Sequence, residues 1–270
     1  MVNNKSVQVL PISAYDDNYV WLLRDERTCL VVDPGDAQPV IAYLKEHRLV
    51  LKMILITHHH ADHVGGIAEL IDWCEKQQTE LPIIYGPSGE DIPWIDEGLM
   101  QGDSLHIQSP ACDLMVLDVP GHTAGHIAYF IDTGTTQHVF SGDTLFACGC
   151  GRIFEGTPQQ MFSSLEKFSQ LPPTTLVHAA HEYTLSNIRF ALEVEPGNQD
   201  LQDWAVRAKA LRQAGKPTLP TTIDHELKVN PFLRSHIQAV MARAISHQPG
   251  LAKTPLAVFA ALRVWKDVFK

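Results

Sequence analysis

The sequence predicts a layered α/β sandwich followed by a small all-helical domain. Three observations predict it. Short apolar strands separated by turns fill the first two-thirds of the chain, several followed by segments of helical spacing. Those strands stop at breakers such as Pro34-Gly35 and Pro120-Gly121. After Tyr183 the strand pattern gives way to helical periodicity, so a boundary is expected there, with domains of 1–183 and 184–270.

Taken in order, Ser6–Ile12 and Asn18–Leu23 read as strands, and Cys29–Asp33 as a buried strand stopped by Pro34-Gly35. Pro39–His47 has helical spacing. Leu51–Ile56 is continuously apolar, as in a strand covered on both faces. Ile67, Leu70, Ile71 and Cys74 recur at helical intervals after Gly65-Gly66. Cys112–Val119, Ile127–Asp132, Gln137–Phe140 and Thr174–His178 are further strands, and Pro158–Phe168 a helix. Beyond the boundary, Asn187–Val194, Leu201–Ala214, Gln238–Ala244 and Pro255–Phe269 read as helices.

A chain of 270 residues fits two modest domains or one large one, and 45% hydrophobic with 19% charged residues is ordinary for a soluble protein. Met1–Lys5 leads into no apolar run of signal-peptide or bilayer length, so no membrane partner and a cytoplasmic location are expected. Five scattered cysteines argue against a disulfide framework, and Cys148-x-Cys150 is read as plain reduced thiols. The net charge of −10 disfavours nucleic acid. It is unevenly spread: 9 Lys+Arg against 24 Asp+Glu in 1–183 (−15), and 12 against 7 in 184–270 (+5). Two readings stay open: complementary contact faces, or an acidic cation-binding domain beside a basic domain that meets an anionic substrate.

The chemistry concentrates in Thr57-His58-His59-His60-Ala61-Asp62-His63, directly after the apolar strand. In extended chain, residues two apart point the same way, so His58 and His60 can reach one metal while His59 turns elsewhere. Asp62 and His63 follow in the turn and can reach a second. Imidazole and carboxylate suit zinc, and also iron or manganese. His122, Asp143 and His181 each lie just beyond an apolar strand, where strand ends of open α/β sheets gather ligands. Singly, each has a plainer reading, as a turn residue, a helix cap or a buried hydrogen-bonded histidine; together with the first motif they complete two sites. Asp33 either orients a ligand histidine or simply ends its strand.

These residues, His58-x-His60-x-Asp62-His63 with His122, Asp143 and His181, resemble the metallo-β-lactamase superfamily. Asp16–Trp21, Thr57–Gly66, Pro120–His126, Ser141–Arg152, His181–Thr184 and Arg263–Lys270 are similar to the glyoxalase II (hydroxyacylglutathione hydrolase) branch. The resemblance implies an αββα sandwich with a helical C-terminal substrate-binding domain. It implies two divalent ions, zinc with iron or manganese as options: His58, His60 and His122 on one, Asp62, His63 and His181 on the other, Asp143 bridging. It assigns glutathione contacts to Arg152, Tyr183, Arg263 and Lys266, and Phe154 lacks the hydroxyl that some relatives carry there.

The implied reaction is hydrolysis of S-D-lactoylglutathione by a hydroxide shared between two cations about 3.5–4 Å apart. Asp62 would steer or accept its proton, and a monomer acting on a small-molecule thioester is expected. The rivals are a β-lactamase, an iron-dependent persulfide dioxygenase with one metal in a two-histidine, one-carboxylate site, a nuclease, and a non-catalytic metal-binding module.

Overall fold

Residues 7–269 are described by a computed structural model. Ser6, where the first strand was expected to begin, and the terminal Lys270 lie outside them. The chain divides into two compact units: the first runs through Asp118 and takes in Gly125–Gly142, and the second is Val119–Ala124 with the chain from Asp143 onward.

In the first unit, strands β1 (Gln8–Ala14), β2 (Asn18–Arg24) and β3 (Thr28–Val32) form an antiparallel meander. Helix α1 (Ala37–His47) then crosses to β4 (Val50–Leu55), parallel to β3. The short α2 (Ala61–Val64) and the longer α3 (Ile67–Lys76) lead to β5 (Ile83–Pro87) and β6 (Glu97–Leu99), both parallel additions that complete a sheet in chain order. The sequence explains the crossover: Asp36 caps α1 by accepting from the Gln38 N–H, while Val40, Ile41 and Leu44 bury one stripe of it. That stripe packs with Ile67, Leu70 and Cys74 of α3 over Val20, Leu22, Val31 and Ile54.

Strands β7 (Ser104–Gln108), β8 (Ala111–Asp118), β9 (Ile127–Asp132) and β10 (Gln137–Gly142) form an antiparallel second sheet of the same unit. The alternation along β8, with Cys112, Leu114 and Val116 buried between exposed residues, shows one face turned inward. Trp21 of β2 meets Phe140 of β10 edge to face at 6.4 Å, and the Tyr129 hydroxyl donates to the Ile56 carbonyl at 2.6 Å, joining the two sheets.

The second unit opens on a small hairpin, β11 (Leu145–Phe146) and β12 (Gly149–Cys150). Helix α4 (Pro158–Ser169) starts at a reciprocal capping box between Thr157 and Gln160, with Pro158 in its first turn. Then follow β13 (Leu176–Ala179), α5 (Thr184–Val194), α6 (Gln199–Gln213), β14 (Thr221–Thr222) antiparallel to β13, α7 (Ile223–Val229), α8 (Gln238–His247) and α9 (Pro255–Val268). Phe190, Phe232, Phe259 and Trp265 form an aromatic core beneath α5 and α9. Among the described residues no helix is long and apolar enough to cross a membrane. All five cysteines are free and buried, as read from the sequence. Burial holds the thiols of Cys29 and Cys112 up near 12, so they are poor nucleophiles and poor ligands.

Candidate metal centre

Parallel strands β3 and β4 end side by side, which sets Asp33 beside Thr57. The Asp33 carboxylate accepts from the Thr57 amide and from its hydroxyl, each at 2.8 Å. Because that hydroxyl spends its proton on Asp33, its lone pair faces His58 Nδ1 at 3.0 Å and calls for an Nδ1–H there. His58 Nε2 is then left as an acceptor, 3.0 Å from His60 Nδ1. Asp33 Oδ2 also lies 3.0 Å from His63 Nδ1, a charge contact that favours a proton on that nitrogen and leaves Nε2 as the basic one. The carboxylate that strand-end geometry left ambiguous therefore touches the surroundings of two histidines.

His59 turns away from His58 and His60, as expected from its place between them: its backbone N–H and Nδ1 both meet the buried carboxylate of Glu90, at 2.6 and 2.8 Å. Asp62 remains 41% exposed, accepts from Asn18 Nδ2 at 3.0 Å and stands 3.7 Å from His63 Nε2. Gly35 makes room for this turn. A Cβ there would fall 1.8 Å from the Asp62 carbonyl oxygen. Neither Asn18 nor Glu90 was singled out from sequence.

The second unit carries the other candidate donors. Asp143 stands with Oδ2 3.4 Å from His122 Nε2 and Oδ1 3.3 Å from His181 Nε2, one oxygen toward each histidine. His122 Nδ1 donates to the Arg152 carbonyl at 2.9 Å, so its Nε2 is again the acceptor. His58, His60, Asp62 and His63 are the candidate metal donors of the first unit, and His122, Asp143 and His181 those of the second. His58 and His122 each turn one ring N–H outward and present the other nitrogen, and such imidazole donors, with the carboxylates of Asp62 and Asp143, fit divalent cations.

Of the residues assigned to glutathione, Arg152, Arg263 and Lys266 gather in a cationic cluster, while Tyr183 lies against His181. Tyr183 is 37% exposed and stacks on His181 at 4.7 Å. The exposed Phe154 ring lies 5.2 Å from that of His122. Lys266 is half-buried above Phe190 and Phe269, and burial with Arg263, Arg189 and Arg152 nearby lowers its pKa to about 8. Arg189 is a member of this cluster that the sequence did not reveal. Arg152 is exposed, 3.7 Å from Asp267. Arg263 is buried: its Nη1 donates to the carbonyls of Cys150 and Gly151, and its Nη2 to Asp267 at 3.0 Å.

The model of the metallo-β-lactamase superfamily matches residues 16–181, and that of the hydroxyacylglutathione hydrolase C-terminus matches 182–269. Two curated proteins called hydroxyacylglutathione hydrolase, from Cupriavidus taiwanensis and Vibrio cholerae, are 52% and 48% identical; the alignments cover 98% and 97% of this chain and all of each relative. Among solved structures, ETHE1 from Myxococcus xanthus aligns with a TM-score of 0.60 at 24% identity over 96% of this chain and 97% of its own. The BLEG-1 B3 metallo-β-lactamase gives 0.59 at 23% over 84% and 99%. Those two show the shared fold. Fold and family model define a metallo-β-lactamase-superfamily protein. Within that superfamily the chain belongs to the hydroxyacylglutathione hydrolase family.

Proposed function

We propose that this chain hydrolyses S-(2-hydroxyacyl)glutathione, S-D-lactoylglutathione first among them, to glutathione and the free hydroxy acid. The observation that carries the reading is the Asp143 carboxylate, which offers one oxygen beside His122 and the other beside His181. Near-full-length identity of about half to proteins called hydroxyacylglutathione hydrolase supports the substrate.

In this reading His58, His60 and His122 hold one divalent ion, Asp62, His63 and His181 the other, and Asp143 both. When bound, such a pair supplies a water acidified from about 15.7 to near 7 and a Lewis acid for the carbonyl oxygen. The remaining work falls to the chain. Asn18 donates to Asp62 and keeps one carboxylate oxygen aimed, so that Asp62 can take the proton of the attacking water. Arg152, Tyr183 and Lys266 receive the glutathione moiety, and Arg263 adds its charge from beneath. Two carboxylates on the substrate would suit this cluster of four cations, in which Asp267 pairs with Arg152 and Arg263. No serine or cysteine nucleophile is required. Zinc, iron and manganese all suit these ligands. The same proposal takes the protein as a cytoplasmic monomer acting in methylglyoxal detoxification, with a catalytic domain 1–183 and a substrate-binding domain 184–270.

The test is an assay on S-D-lactoylglutathione that follows thioester loss and free thiol together, with metal analysis of the same sample. One thiol per thioester and close to two metals per chain are expected. A sample holding two metals that leaves the thioester intact, or one holding a single iron that consumes oxygen with a persulfide, overturns the proposal.

A further inference from the structure

The segment 150–152 joins two features so far treated apart. The side chain of Arg152 stands at the cationic cluster, while its carbonyl accepts the Nδ1–H of His122 at 2.9 Å. That single acceptor decides which imidazole nitrogen His122 presents. The segment lies hard against the ligands: a Cβ on Gly151 would fall 1.9 Å from the Asp143 carbonyl oxygen and 3.3 Å from His122 Nδ1. Only glycine permits that approach. The Gly151 N–H donates to the Thr144 carbonyl at 3.1 Å, closing the loop on itself.

From the far side the loop is held by Arg263. Its Nη1 lies 2.8 Å from the Cys150 carbonyl oxygen and 3.3 Å from that of Gly151. Nη2 is tied to Asp267, the guanidinium lies 5.2 Å over the Phe232 ring, and the residue is only 5% exposed. Two consecutive carbonyls are thus pinned by one rigid, planar cation, and the third in the row belongs to Arg152 and takes His122. A charge needed only to attract substrate would not have to be buried, nor to spend its donors on backbone.

We propose that Arg263 is a positioning residue for the metal ligand His122, acting through the carbonyls of Cys150 and Gly151 to fix the Arg152 carbonyl. The inference rests on the binuclear reading above. It makes a prediction of a sign that electrostatics alone would reverse. Removing a nearby positive charge should tighten cation binding, whereas loss of a clamp on His122 should weaken it.

The experiment is metal affinity in the absence of substrate, by chelator competition with zinc and by the absorption of the cobalt-substituted protein, on full-length wild type, R263M, R263K and K266M. The fold is checked by circular dichroism and thermal melting. R263M is expected to weaken one of the two sites by about ten- to a hundredfold, the size of effect seen when an outer partner of a ligand histidine is lost. R263K, with a single ammonium on a shorter stem, should recover part of it. K266M removes a charge from the same cluster but none of the carbonyl bonds, and should bind metal as tightly as wild type or more so. An R263M protein that folds as wild type does and keeps both metals at wild-type affinity or tighter overturns the inference. Should R263M fail to fold, R263K with wild-type affinity does the same. A wild type that holds no second metal removes the binuclear reading itself, and this inference with it; the two failures are therefore distinct.

Discussion

Asp33 shows how much one side chain can decide. It accepts two bonds from Thr57, whose hydroxyl in turn faces His58, and lies 3.0 Å from His63 Nδ1, so a carboxylate that is not itself a candidate donor touches the surroundings of both histidines. Its backbone is left-handed, at φ 53°, a conformation asparagine also tolerates. Asp33→Asn should therefore spare the fold. It would place an amide N–H2 against either Thr57 or His63 Nδ1, and the latter would drive His63 to the tautomer with a proton on Nε2. We expect metal affinity to fall about ten- to a hundredfold with little change in melting temperature; chelator titration showing wild-type affinity would remove Asp33 from this role. Lys266 gives a second residue-level prediction. Burial and three arginines hold its pKa near 8, so its charge is lost as pH rises through that value. KM for an anionic thioester should climb between about pH 7 and 9 in wild type and stay flatter in Lys266→Arg, whose guanidinium remains charged. Parallel profiles for the two proteins would exclude Lys266 from binding. The donor residues were legible because four of them fall within six positions after one apolar strand. Asn18, Glu90 and Arg189 were not, because each acts across a separation of at least 31 residues or through space alone, with nothing local to mark it.

At the scale of elements, the apolar strands and the long amphipathic helices were readable, and the short pieces were not. Strand β9 occupies the span its composition indicates, and β4 is displaced by one residue. Strands β11, β12 and β14 have two residues each, below any period that a pattern can reveal. Helix α7 was hidden for a different reason. Its sequence, Ile-Asp-His-Glu-Leu-Lys-Val, is mostly polar, yet Glu226 within it is fully buried. That carboxylate accepts from the Cys148 amide at 2.8 Å, the Thr221 hydroxyl at 2.8 Å and Asn230 Nδ2 at 3.1 Å. Asn230 Nδ2 also donates to the carbonyls of Phe146 and Gly149, so α7 and its C-cap clamp the turn between β11 and β12. Burial lifts the Glu226 pKa to about 7. A raised carboxyl pKa means that the folded state binds more protons than the unfolded one between about pH 4.5 and 7, so this residue's contribution falls as pH rises through that window. Glu226→Gln can keep all three bonds if its amide N–H2 faces Thr221. Denaturant unfolding should show the variant more stable than wild type above pH 7, with the gap closing toward pH 5; a gap independent of pH would show that Glu226 does not titrate in this range.

For the whole molecule the central question is how a protein of net charge −10 binds an anion. Two fields act on the substrate with opposite signs. The general field repels it, and in the proposed function the cluster of Arg152, Arg189, Arg263 and Lys266 attracts it. Distance decides between them. At about 0.1 M salt, charges more than roughly 10 Å apart are largely screened, while contacts within a few ångströms are weakened far less. The charge count of +5 over residues 184–270 marked that part of the chain as basic; which three of its twelve basic residues converge with Arg152 was not legible, because the four come from a loop and two separate helices. The balance can be read from salt. Raising ionic strength from about 20 to about 300 mM shortens the screening length from roughly 20 to roughly 6 Å. If the cluster dominates, KM on S-D-lactoylglutathione should rise severalfold with kcat little changed, because the cations sit apart from the reacting carbonyl. The double variant Arg152→Ala with Lys266→Ala should start from a KM at least about tenfold higher, from lost charged bonds worth roughly 1.5–3 kcal/mol each, and respond less to salt. A wild-type KM that falls as salt is added would mean that general repulsion governs encounter, and that the anion is not held at this cluster.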